Sequence, residues 1–128
     1  MELKTKQQGI KVVADVLDII GGKWRGPILS YICDKPRRFN ELKTILGRIT
    51  SATLSKELRY LEGLHMIERV EIQREPATIY EYRMSKHGKS IKTLIQHVVE
   101  WGIQHRKVVL EDASQSEKEI VIAEKINY

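Results

Sequence analysis

Five side chains between positions 51 and 59 have the chemistry to hold a polyanion. Ser51, Thr53 and Ser55 offer hydroxyls, and Lys56 and Arg59 offer cations. Such groups donate to phosphate oxygens, and several of them also donate to base edges. The small residues Ser51 and Ala52 at the start of the segment suit a helix that must enter a DNA major groove, roughly 12 Å wide. At about 100° per residue, Leu54, Leu58 and Leu61 fall on the opposite side, so one helix presents a core face and a cationic face. An ordinary helical hairpin with a solvated face would carry the same residue types. The neighbouring elements have to separate the two readings.

Upstream, Phe39, Leu42, Ile45 and Leu46 form an i, i+3, i+6, i+7 stripe. Gly47 then suits a left-handed helix end, and Thr50 supplies an N-cap hydroxyl for a helix opening at Ser51. Two helices joined by a short Gly-containing turn, the second with a cationic outer face, read as a helix-turn-helix. Downstream, Val70 and Ile72 alternate with Arg69, Glu71 and Gln73. After Arg74-Glu75-Pro76-Ala77-Thr78, Tyr80, Tyr82 and Met84 alternate with Ile79, Glu81 and Arg83. Two period-2 runs around a Pro-containing break predict a β-hairpin, placed where a winged helix carries its wing.

The rest of the chain supplies helices. Residues 1–9 are polar and expected to fray. A helix is predicted from Ile10 to Ile20, with Val13, Val16, Leu17 and Ile20 on one stripe, ended by Gly21-Gly22. Another is predicted over Trp24 to Asp34, its Pro27 tolerated in the first turn and its Ile28, Leu29 and Ile32 in the core. Beyond Lys86-His87-Gly88, the residues Ile91, Leu94, Ile95, Val98, Val99, Trp101 and Ile103 make a long helix apolar over a wide arc. One small domain covers only part of such a helix, so burial against a second copy is expected, with the Ile10–Ile20 helix joining in. A tail over residues 110–128 carries Ile120, Val121, Ile122 and Ile126 amid charges.

Charge agrees with a polyanion partner. The net charge of the 128 residues is +5, and it is uneven: residues 1–110 carry 20 Lys/Arg against 12 Asp/Glu, and residues 111–128 carry 2 against 5. A basic body with an acidic tail favours association with nucleic acid, without bearing on fold. With 41% hydrophobic residues the chain is expected to fold rather than stay disordered. No run is long and apolar enough to span a membrane, and the start lacks a signal-peptide pattern. The single cysteine excludes an intrachain disulfide framework and fits a reducing cytoplasm.

Ile20-Gly21-Gly22-Lys23-Trp24, Pro36-Arg37-Arg38-Phe39-Asn40-Glu41-Leu42, Leu58-Arg59-Tyr60-Leu61-Glu62, Tyr80-Glu81-Tyr82 and Gly88 together resemble the HxlR-type winged helix-turn-helix family. The resemblance covers roughly residues 11 to 105 and places a domain at 11–109 before the acidic tail at 110–128. It implies a bacterial or archaeal transcriptional regulator that binds a short inverted repeat as a homodimer. By position it implies a recognition helix from Ser51 to His65 and a wing over about Ile67 to Ser85. Two departures stand out. Many members have a cysteine ten residues before the first Gly of the GG pair, where this chain has Lys11, so thiol sensing by that route is lost. Many also have Pro-Pro and a basic residue at the wing, where this chain has Ala77, Thr78 and Ile79. The wing tip keeps Arg74.

The expected fold is therefore α+β, a winged helix-turn-helix with a two-stranded wing and extra N- and C-terminal dimerisation helices. The expected function is binding of double-stranded DNA by a homodimer. Ser51, Thr53, Ser55, Lys56 and Arg59 are the expected helix contacts, and Lys23, Arg37, Arg38 and Arg74 the expected backbone clamps. A winged helix used for protein docking is the alternative. A small-molecule effector is neither supported nor excluded. Cys33 beside Asp34 reads as a buried, inert thiol, because a neighbouring carboxylate disfavours the thiolate. His97 and His105 share a helix face, but metal binding needs more ligands at tight spacing, so no metal or cofactor is expected. The chain also lacks a nucleophile–base string, a phosphate loop and a carboxylate pair, which leaves catalysis without support.

Overall fold

A computed structural model describes residues 5–114. The chain divides into two units, Met1–Ser90 and Ile91–Tyr128. The first holds α1 (Lys6–Ile20), α2 (Arg25–Asp34), α3 (Phe39–Leu46), α4 (Ser51–Gly63), β1 (Ile67–Gln73) and β2 (Ile79–Met84). The second holds α5 (Ile91–Ser114).

Each helix boundary has a local cause. α1 starts four residues before the predicted Ile10, because Thr5 Oγ1 accepts from the Gln8 amide (3.1 Å) and Gln8 Oε1 accepts from the Thr5 amide (3.2 Å). This capping box satisfies two end donors, so the segment expected to fray is helical from Lys6. α3 ends at Gly47, whose φ of +73° is open to glycine and costly for other residues. Thr50 caps α4 as expected, its hydroxyl accepting from the Thr53 amide at 3.1 Å. α4 stops at Gly63, two residues short of the predicted His65, which itself adopts a left-handed φ of +60°.

The core of the first unit is built from the predicted stripes. Ile28 and Leu29 of α2, Leu42 of α3, and Leu54, Leu58 and Leu61 of α4 have no accessible surface. Met66, Ile67, Tyr82 and Met84 of the hairpin join them. Burying an aliphatic side chain of this size contributes about 1.5–3 kcal/mol, which makes this stripe the main force holding the three central helices together. α2 packs on α1, α3 and β2, and α4 packs on β1.

The hairpin is antiparallel, with Ile67 opposite Met84 and Val70 opposite Glu81. A register irregularity between Glu71 and Gln73 leaves Ile72 without a paired position, and its side chain is exposed. The expected alternation Val70–Ile72 therefore breaks at the wing tip, where a bulge turns the strand.

A compact polar knot closes the base of the wing. The buried Ser85 hydroxyl donates to the His65 carbonyl (2.5 Å) and accepts from the Gly88 amide (2.7 Å). Gly88 lies so close to the chain that a Cβ would sit 1.9 Å from the Met66 carbonyl oxygen. Gly88→Ala is thus expected to force a backbone shift and lower unfolding free energy by about 1–3 kcal/mol, measured by urea denaturation. An unchanged midpoint would show that this contact is relieved at no cost.

α5 extends through Ser114, beyond the predicted domain end at 109. Leu94, Val98, Val99, Trp101, Ile103 and Val108 of α5 are exposed, and Trp101 is 69% accessible. His105 stacks on Trp101, the ring centres 5.0 Å apart and the planes 11° from parallel. The apolar residues Ile120, Val121, Ile122 and Ile126 lie outside the described residues. Among the described residues no helix is long and apolar enough to cross a membrane.

Candidate nucleic-acid interface

α4 brings five of the nine expected contact residues onto one helix. Ser51, Lys56 and Arg59 are exposed, as is Ala52 between them, while Thr53 and Ser55 are half-buried. The opposite side of α4 is fully enclosed through Leu54, Leu58 and Leu61. The cationic face therefore stands clear of the unit that carries it.

The polar side chains on this face differ in their freedom. Thr53 is bound to the cap: its amide donates to Thr50 Oγ1, and the two hydroxyl oxygens lie 2.9 Å apart. Arg59 Nε makes only a long bond of 3.4 Å back to the Ser55 carbonyl, so its guanidinium can turn outward at little cost.

The four expected clamps are distributed over other elements, and they differ from one another. Lys23 is exposed just before α2, its ammonium 4.9 Å from the Trp24 ring centre. Arg38 is exposed at the start of α3, with a loose 4.0 Å approach to Glu41. Arg74 is exposed at the wing tip and is held by Glu71 at 2.7 Å; that hydrogen bond raises the affinity of its guanidinium for the proton, outweighing a smaller opposing effect of desolvation. The acidic partner also cancels much of its field at the tip.

Arg37 departs from the expectation. Its backbone bridges Tyr82 in both directions, at 2.9 and 2.7 Å, and its side chain is turned under α2. There the guanidinium donates to the Tyr31 carbonyl (3.1 Å) and to Asp34 (2.9 Å), leaving the residue 8% accessible. The bridge to Tyr82 fixes the backbone so that Arg37 points inward while its neighbour Arg38 points out. Arg37 ties α2 to β2 and has little surface left for a phosphate. Arg37→Ala should lower unfolding free energy by about 1.5–3 kcal/mol, the usual worth of hydrogen bonds to a charged group. Arg38→Ala should leave the thermal midpoint unchanged; equal midpoints for both variants would return Arg37 to the surface set.

Two features escaped the sequence reading. Arg48 is exposed in the turn between α3 and α4, outside any periodic pattern. Asp18, Arg25, Glu57 and Tyr60 form a network across three helices, and only their spatial meeting reveals it. Cys33 on α2 is half-buried rather than enclosed.

The profile of the HxlR-like helix-turn-helix family matches residues 19–109. The HTH-type transcriptional regulator YtcD of Bacillus subtilis (strain 168) is 32% identical over 124 residues, covering 97% of each chain. The regulator YdeP of the same organism is 34% identical over 110 residues, covering 84% of this chain and 85% of YdeP. Among solved structures, the redox regulator HypR in its reduced form superposes with a TM-score of 0.71 at 32% identity, covering 77% of this chain and 97% of HypR. The mostly helical unit with its two-stranded hairpin is the winged-helix arrangement of such regulators.

Proposed function

Because the chain belongs to the HxlR-like helix-turn-helix family of transcriptional regulators, we propose that it binds an inverted-repeat operator as a homodimer, in the cytoplasm, and has no catalytic role. The observation that carries this reading is the exposed face Ser51, Ala52, Lys56 and Arg59, set opposite a fully buried leucine stripe. A helix built this way is anchored by its inner side and free to enter a major groove with its outer side. Lys56 and Arg59 contact phosphates or base edges, and Ser51, Thr53 and Ser55 add shorter contacts. Lys23, Arg38 and Arg74 act from the flanks on the backbone. The homodimer is held by apolar residues on α1 and α5, which expose Ile10, Val13 and Leu17, and Val98, Trp101 and Val108.

Fluorescence anisotropy with genomic fragments at two salt concentrations tests the reading. Binding to selected fragments should fall steeply with salt, with a log–log slope of about 0.9 for each phosphate neutralised. A winged helix used for protein docking would give no selected fragment and no salt-steep isotherm.

A further inference from the structure

Arg25, the first residue of α2, makes contacts to two other helices at once. Its Nε donates to Glu57 Oε2 on α4 at 2.7 Å, and its Nη1 donates to the Asp18 carbonyl on α1 at 2.6 Å. The guanidinium lies 3.8 Å from the centre of the Tyr60 ring on α4. The Tyr60 hydroxyl in turn donates to the Asp18 carboxylate at 2.5 Å, closing a circuit through α1, α2 and α4. The hydrogen bond to Glu57 raises the proton affinity of Arg25, and the bond to Asp18 raises the pKa of the Tyr60 phenol from its ordinary value, so both donors stay protonated. Charge-assisted bonds of this kind are directional as well as strong.

α1 needs such a tie. It has no buried residue, and it joins α2 through Gly21-Gly22. Its apolar hold on the unit is limited to the half-buried Val16, Ile19 and Ile20. α4, in contrast, is already anchored by Leu54, Leu58 and Leu61. The core thus has its own anchor in α4, and what the network adds is a fixed place for α1 relative to α4. The face of α1 carrying Ile10, Val13 and Leu17 is exposed.

We propose that Arg25 is a positioning residue that locks the recognition helix to the dimerisation helix α1, with Asp18, Glu57 and Tyr60 as its partners. The spacing of the two recognition helices in the dimer is then set by how α1 meets its copy. The proposal rests on the reading of α4 as the DNA-contacting helix. It assigns to these four residues operator-spacing discrimination rather than DNA affinity in general, since none of them belongs to the exposed face.

The test uses the full chain and duplexes carrying the inverted repeat from the strongest-bound genomic fragment, with the half-site separation changed one base pair at a time. Anisotropy is read for the unsubstituted protein, Tyr60→Phe and Arg25→Lys, with a random duplex and a thermal melt alongside. Tyr60→Phe keeps the ring over Arg25 and removes only the hydroxyl bond. Preference for the best separation over its neighbours should fall roughly threefold to tenfold, the contribution of one or two lost hydrogen bonds, with random-duplex affinity unchanged and the protein still folded, its melting midpoint lowered by no more than a few degrees. Should Arg25→Lys unfold, Tyr60→Phe decides alone. Undiminished preference, or an equal loss on every duplex including the random one, overturns the proposal. If the unsubstituted protein binds no duplex, the DNA reading and this proposal fall together, an outcome distinct from preserved discrimination.

Discussion

Reversing both cations of the α4 face, Lys56→Glu with Arg59→Glu, is expected to abolish operator binding and leave the fold intact. Both residues are exposed, and neither supports the core built by Leu54, Leu58 and Leu61. Each good side-chain contact to DNA contributes about 1–3 kcal/mol, and the two-fold assembly repeats both losses, so four lost contacts cost a total of about 4 kcal/mol or more. Like charge against phosphate adds repulsion to the missing contact. Anisotropy with the operator duplex reads the loss, and circular dichroism checks the fold. The single variant Arg59→Ala then resolves the role of that residue. A loss confined to the operator assigns it to a base edge, an equal loss on random DNA assigns it to the backbone, and no loss on either removes it from the interface.

The second large effect comes from α1. Val13→Asp with Leu17→Asp places two carboxylates on an apolar stripe whose members are 56% and 57% accessible in the single chain. Because that stripe carries no buried residue, the unit itself should fold as before. Burying those carboxylates against a second copy would be strongly unfavourable, so the variant should be monomeric in sedimentation. A monomer loses the linked second half-site, and affinity for the inverted repeat should fall roughly 10²–10⁴-fold. Affinity for a single half-site should change little. A variant that stays dimeric would move the interface wholly to α5 or elsewhere.

What could be read in the sequence, and what could not, divides by sequence separation. The α4 face, its Thr50 cap and the Gly47 turn were legible, because caps and helical periodicity act within a few residues. The hairpin was legible as alternation, but the bulge at Ile72 was not, since pairing register is decided across the strands. The start of α1 was misplaced although its signal is local: Thr5 and Gln8 have capping-box spacing, and a polar composition masked it. Arg37 and Arg38 are adjacent and chemically identical. The bridge from Arg37 to Tyr82, 45 positions away, gives them opposite fates. The circuit of Arg25 links residues 32 and 42 positions apart, Arg25 with Glu57 and Asp18 with Tyr60, so no motif could announce it.

Hydroxyl-radical footprinting of the operator-bound protein tests the central claim most directly. Two recognition helices carried by a two-fold dimer should protect two patches on one side of the duplex, centred one helical turn apart, about 34–36 Å, or a multiple of it. A single protected patch, or two centred half a turn out of phase, would contradict the proposed placement of Ser51, Lys56 and Arg59 in successive major grooves.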